Sequence, residues 1–86
     1  MINAKNRLQI LELIVQSTRE ILPGLDSHDF VDSDRLADLG ANSVDRAEIV
    51  MMVQEALNLS IPRVELFGPK NIGELADLLL RKLNAA

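Results

Sequence analysis

An all-α fold, a small bundle of three principal helices plus one short helix, is predicted by three features of the sequence. Apolar residues recur at three- and four-residue steps in three stretches, proline or glycine punctuates the gaps between them, and no segment alternates apolar and polar residues as a half-buried strand would. Eighty-six residues at 48% hydrophobic composition make one domain, residues 1–86, with a single core and little room for a deep catalytic cleft. No internal repeat or low-complexity tract interrupts it.

The first helix is expected from about Asn3 to Leu22. Leu8, Leu11, Val15, Thr18 and Leu22 fall on one face, with Ile14 and Ile21 widening it. Pro23-Gly24 ends it, since a proline disfavours helix in the residue before it and glycine accepts a left-handed turn. A long loop over residues 23–42 follows, with Leu25, Phe30, Val31, Leu36 and Leu39 set among aspartates. Those apolar residues are expected to pin it to the core, with a helical turn near Asp34 to Asp38. The second helix is expected over Ser43 to Leu57. Pro62 then opens a short helix, Arg63 to Phe67, closed by Gly68-Pro69. Asn71-Ile72-Gly73-Glu74 supplies a cap and the glutamate of a capping box for a last helix to about Leu83, where Arg81 and Lys82 complement the helix dipole.

The second helix carries two apolar stripes on opposite faces. Ile49, Val53, Ala56 and Leu57 form one; Val44, Ala47 and Met51 form the other, flanked by Glu48 and Glu55. The second stripe is either another core face or an exposed docking strip. Burying it would also bury two carboxylates, at several kcal/mol per unpaired charge, so an exposed strip with an acidic rim is the expectation. Methionine suits a surface that meets several partners, because its thioether adapts to differing pockets.

Charge and residue usage narrow the function. Residues 20–55 hold nine acids against Arg35 and Arg46, a local balance of −7 within a chain of net charge −4. This disfavours nucleic-acid binding and suits basic protein partners, although a solvated acidic loop would look the same. The aspartates lack the glycine and terminal glutamate of a calcium loop, and with no cysteine and the single His28 no metal cluster is expected. His28 reads as a structural loop histidine, and Phe30 and Phe67 as anchors of the loop and the short helix. No apolar run approaches the ~18 residues of a membrane span and no leader opens the chain, so a soluble cytoplasmic protein is expected.

Ser43 stands where the acidic loop meets the second helix. Gly40 permits a sharp turn just before it, and Asn42 can cap the amide of Asp45, so Asn42-Ser43-Val44-Asp45 reads as a variant capping box. The first amides of a helix lack intrahelical partners and carry partial positive charge, which suits a phosphate ester on Ser43. The plainer alternative is that Ser43 only helps to begin the helix. No basic residue near it in sequence could activate its hydroxyl, so a catalytic serine is not expected.

Leu39-Gly40-Ala41-Asn42-Ser43-Val44, Ile61-Pro62 and the layout of three long helices and one short resemble an acyl carrier protein over essentially the whole chain. The resemblance implies that Ser43 carries a 4′-phosphopantetheine arm, transferred from coenzyme A by a phosphopantetheinyl transferase, with acyl groups held as thioesters on its terminal thiol. It implies that Val44, Ala47, Glu48, Met51 and Glu55 form the recognition surface for partner enzymes. Residues 42–49 (Asn-Ser-Val-Asp-Arg-Ala-Glu-Ile) and 70–77 (Lys-Asn-Ile-Gly-Glu-Leu-Ala-Asp) are similar to the free-standing carriers of polyketide β-branching cassettes. That closer resemblance implies a monomer that holds acetyl or malonyl thioesters and acts as donor of an acetyl unit. Its partners would be an acyltransferase, a ketosynthase-like decarboxylase and a hydroxymethylglutaryl-synthase-like enzyme. Most members of the family have aspartate before the serine and leucine after it; Asn42 and Val44 depart from that, removing a charge a partner could recognise. Alternatives are a fatty-acid carrier, a peptidyl carrier, disfavoured because Gly40-Ala41-Asn42-Ser43 lacks a second glycine, and a helical adaptor without a prosthetic group.

Overall fold

In a computed structural model that describes residues 6–85, the chain forms three α-helices and one 3-10 helix, with no strand among the described residues. Helix α1 spans Arg7–Ile21, α2 Ser43–Leu57 and α3 Ile72–Ala85; the 3-10 segment is Arg63–Phe67. The expected start of the first helix at Asn3 lies outside the described residues. Asn6 is not helical: at φ −135° its side chain accepts a hydrogen bond from the Gln9 amide at 2.9 Å, so the described helix begins at Arg7.

Helix α1 is the central element, packed against both α2 and α3, while α2 and α3 make far less contact with each other. Two neighbours on two sides turn its buried face away from the expected one. Ile10, Leu13, Ile14, Ser17 and Thr18 are buried, whereas Leu8 is exposed and Leu11 only partly covered. Thr18 resolves its own burial by donating its hydroxyl to the Ile14 carbonyl at 2.7 Å. Helix α2 contributes Ile49, Val53 and Leu57 to the core, and α3 contributes Ile72, Leu75, Ala76 and Leu79. Asn58, at φ 55°, closes α2 in the left-handed conformation, and the Leu59 amide returns to the Gln54 carbonyl at 2.8 Å.

The connection over residues 22–42 is held chiefly by polar contacts. Of the five apolar residues expected to pin it, Leu36 and Phe30 pack against the core, Leu25 and Leu39 are half-buried, and Val31 is exposed, with its backbone amide tied down instead. The Asp34 carboxylate accepts the Val31 amide at 2.9 Å and meets His28 Nε2 at 3.0 Å. The Arg19 guanidinium lies 5.2 Å from the centroid of the Phe30 ring and donates to the His28 carbonyl at 3.1 Å. His28 packs edge-on against Phe30 with ring centroids 4.7 Å apart. Consecutive turns then run through residues 36–40 to Gly40, whose φ of +105° lets the chain reverse into α2.

This connection also completes the start of α3. The carbonyls of Asp34 and Asp32 accept the Ile72 and Gly73 amides at 3.0 and 2.9 Å, satisfying two donors that a helix start leaves without partners. Asn71 accepts the Glu74 amide at 2.8 Å, and the Glu74 carboxylate reaches past the cap to the Lys70 amide at 3.0 Å. Arg7 binds Asp32 at 2.8 Å, Asp77 at 2.7 Å and the Gly73 carbonyl at 3.1 Å, joining α1, the loop and α3 at one corner.

Candidate functional site

The site begins with the start of α2. Asn42 Oδ1 accepts the Asp45 amide at 2.8 Å and Asp45 Oδ2 accepts the Asn42 amide at 3.1 Å, so both arms of the capping box are closed. Ser43 is therefore released from capping. It is the first helical residue, and it is exposed. Arg46 steadies the approach by donating to the Ala41 carbonyl at 2.8 Å, and Ala41 is buried.

The two stripes of α2 separate as their residue types require. Ile49, Val53 and Leu57 are buried, while on the opposite side Val44 is 63% and Met51 57% exposed, with Ala47 exposed between them. Glu48 and Glu55 are exposed beside this ridge. All five residues of the expected recognition surface thus stand in solvent on one helix, adjoining Ser43. Isolated exposed apolar residues are ordinary; a contiguous ridge with a charged rim is the pattern of a recognition surface.

Beside the ridge a half-open groove of about 870 Å³ separates α2 from residues 61–75. Ser43, Ala47 and Met51 form one wall, and the 3-10 segment forms the other. Phe67, expected as an anchor of the short segment, is 79% exposed on the lip of this groove. The segment is held instead by half-buried Leu66 against the core and by a Glu65–Lys82 ion pair to α3. Sequence reasoning missed both the exposed Phe67 and the cations that line the groove, since they come from separate elements. Arg35 and Arg46 sit within the acidic stretch 20–55, and only Arg63 and Lys70 belong to the remainder of net charge +3. A second hollow, of about 270 Å³ and bounded by Glu65, Glu74, Asp77 and Arg81, does not include Ser43.

Residues 11–79 match the family described as the phosphopantetheine attachment site. The chain belongs to the acyl carrier protein family. It is 52% identical to the polyketide biosynthesis acyl-carrier-protein AcpK of Bacillus subtilis (strain 168) over 81 residues, covering 94% of this chain and 99% of that one. An acyl carrier protein of Cyanidium caldarium is 35% identical over 54 residues, 63% of each chain. Among solved structures, the crystal structure of the curacin biosynthetic pathway HMG synthase in complex with acetyl donor-ACP matches with a TM-score of 0.85 and 53% identity. The match covers 90% of this chain and 99% of that chain. The chain is thus a carrier of phosphopantetheine with no catalysis of its own, and an adaptor lacking a prosthetic group is set aside. In such a protein the cofactor brings the reactive thiol, while the fold supplies attachment and recognition.

The residues present fit that group. An exposed hydroxyl at the start of a fifteen-residue helix can take a phosphodiester without disturbing the cap, because Asn42 and Asp45 already serve each other. The groove alongside leaves space for an arm to lie or to leave.

Proposed function

We propose that this carrier bears its arm on Ser43 and serves as the acetyl donor of a polyketide β-branching system, docking through Val44, Ala47, Glu48, Met51 and Glu55. The observation that carries the donor reading is the likeness, at 53% identity and a TM-score of 0.85, to a carrier solved in complex with an HMG synthase as its acetyl donor. Its support from polyketide biosynthesis is the 52% identity to the Bacillus subtilis carrier.

When bound, the arm supplies a terminal thiol for acyl cargo. The chain does the remaining work. Asn42 and Asp45 fix the first turn of α2 and so hold Ser43 at its exposed corner. The Val44, Ala47 and Met51 ridge gives a partner apolar contact, and Glu48 and Glu55 steer one with a basic surface, an arrangement that speeds encounter more than it tightens the complex. Weak contact suits a carrier that must leave each enzyme. The tether meanwhile keeps the cargo at high effective concentration while docked. A transferase, an acyltransferase, a ketosynthase-like decarboxylase and an HMG-synthase-like enzyme would visit this one face in turn. In this reading the carrier works in the cytoplasm as a monomer, with the 3-10 segment as the fourth member of the bundle.

The test is transfer of acetyl from the loaded carrier to an HMG-synthase-like enzyme. Wild-type carrier should support it. Met51→Glu should abolish transfer while leaving the melting temperature unchanged, since Met51 stands in solvent. A loaded wild-type carrier that fails with the synthase would remove the donor assignment, and full transfer by Met51→Glu would remove the ridge.

A further inference from the structure

Residues 20–55 carry nine acids and two cations, and both cations, Arg35 and Arg46, line the groove together with Ser43, while no aspartate or glutamate does. Two different elements deliver them. Arg35 comes from the connection before α2, and Arg46 from the start of α2 itself. Neither is matched by an acid: Arg35 makes no side-chain ion pair with any described residue, and Arg46 bonds a backbone carbonyl instead. The carboxylates nearby in sequence are engaged elsewhere, Asp45 by the Asn42 amide and Asp34 by the Val31 amide and His28. By contrast Arg7 and Lys82 are each held by carboxylates.

Helix geometry brings Arg46 to the serine. Residues three apart are neighbours on a helix surface, with Cβ atoms about 5–6 Å from each other, and side chains lean toward the helix start. Arg46 follows that lean, its Nη1 reaching back past Ser43 to the Ala41 carbonyl at 2.8 Å. Because Ala41 is buried, the bond fixes the guanidinium beside the first turn. It uses one of five N–H donors and leaves four. Arginine stays protonated, so Arg46 brings positive charge to Ser43 without supplying a base. Bracing one carbonyl needs no such charge. The unmatched pair of arginines at the serine calls for an anion there, and a guanidinium fork fits two phosphate oxygens at once.

We infer that Arg46, with Arg35 as the second cation, holds the phosphodiester that joins the arm to Ser43. This rests on the reading that Ser43 bears the arm. The two arginines are positioning residues. They pin the root of the arm at the start of α2, so that its free length begins beyond the phosphate rather than at the serine oxygen. They also neutralise the phosphodiester beside Val44, so a partner that grips the ridge does not have to strip water from an unpaired anion. Arg63 and Lys70, which flank the 3-10 segment across the groove, take no part and serve as internal controls.

The test compares the full-length chain before and after modification with unacylated phosphopantetheine, following the arginine Nε–H protons and the phosphorus resonance by NMR. On modification, exchange of the Arg46 Nε–H with water should slow about threefold, the scale of an exposed charge pair, and the slowing should fade in high salt. Arg35 should respond in the same direction and Arg63 not at all. The phosphorus resonance should shift in Arg46→Gln and in Arg35→Gln, hold near its wild-type place in Arg46→Lys, and ignore Arg63→Gln. Arg35→Gln breaks no ion pair of the fold, and the exchange measurement needs no variant, so loss of the Ala41 bond in Arg46→Gln does not decide the outcome. Unchanged Arg46 exchange in the modified chain, a phosphorus resonance indifferent to both glutamine variants, or an equal response at Arg63 would overturn the inference while leaving Ser43 as the attachment point. A chain whose intact mass shows no modification would overturn the Ser43 reading, and this inference with it.

Discussion

The Asn42 and Asp45 side chains each bond the other's backbone amide, and that reciprocal closure determines where the Ser43 hydroxyl stands. Asn42→Ala should cost about 1 kcal/mol of stability, measured by denaturant unfolding, while Asn42→Asp should retain the cap and most of that stability. This was legible in the sequence because capping is local. Gly73 was not, since its constraint comes from residues distant in the chain. A Cβ there would lie 2.8 Å from Asp32 Cβ, 3.0 Å from the Asp32 carbonyl oxygen and 3.1 Å from Arg7 Nη2. Gly73→Ala should therefore destabilise by about 1–3 kcal/mol, with the loop displaced from the start of α3. Asp34 gives the residue-scale pH dependence. The Val31 amide first, and the His28 ring second, hold its carboxyl below the usual carboxylate value. With the folded pKa depressed, its stabilising contribution is complete above the ordinary carboxylate range and disappears as pH falls through the folded value. The stability deficit of Asp34→Asn should be present at neutral pH and shrink in acid. A deficit that stays constant to the acid limit would contradict this.

At the scale of elements, α2 was readable because its charges resolve an ambiguity that its apolar residues leave. Apolar side chains on opposite faces allow either face to be buried, and Glu48 and Glu55 decide it. Helix α1 offers no such guide. Leu8, Ile10, Leu11, Leu13, Ile14 and Val15 surround much of its circumference, so local periodicity cannot fix which arc faces α2 and which α3. The difference has a measurable consequence: Ile14→Ala should cost about 2–5 kcal/mol and Leu8→Ser less than about 0.5 kcal/mol. Equal costs would contradict the observed phase of the helix. The loop and the 3-10 segment were harder still. Val31 and Phe67 are apolar and were expected inside, yet a carboxylate holds the backbone at one and an ion pair to α3 holds the other's segment. Such polar fastenings depend on long-range geometry and leave no periodic signal.

Across the whole molecule, α1 joins two helices that do not close on each other, and the space between them lies next to the serine. Acids rim one side of the ridge and cations line the groove on the other, so the chain presents two opposed electrostatic surfaces from a sequence whose net charge is only −4. Partner docking on the acidic side should weaken as salt rises, since exposed charges are screened within roughly 8 Å at physiological ionic strength. A carrier of this kind needs little more: an accessible root, a surface to be held by, and a fold that keeps its shape as partners change. Attachment at Ser43 is the claim on which the rest depends, and intact-mass measurement after incubation with coenzyme A and a broad-specificity transferase tests it most directly. Wild type should gain one phosphopantetheine group and Ser43→Ala, folded to the same melting temperature, should gain none. Addition to the Ser43→Ala chain, or none to wild type with several transferases, would contradict it.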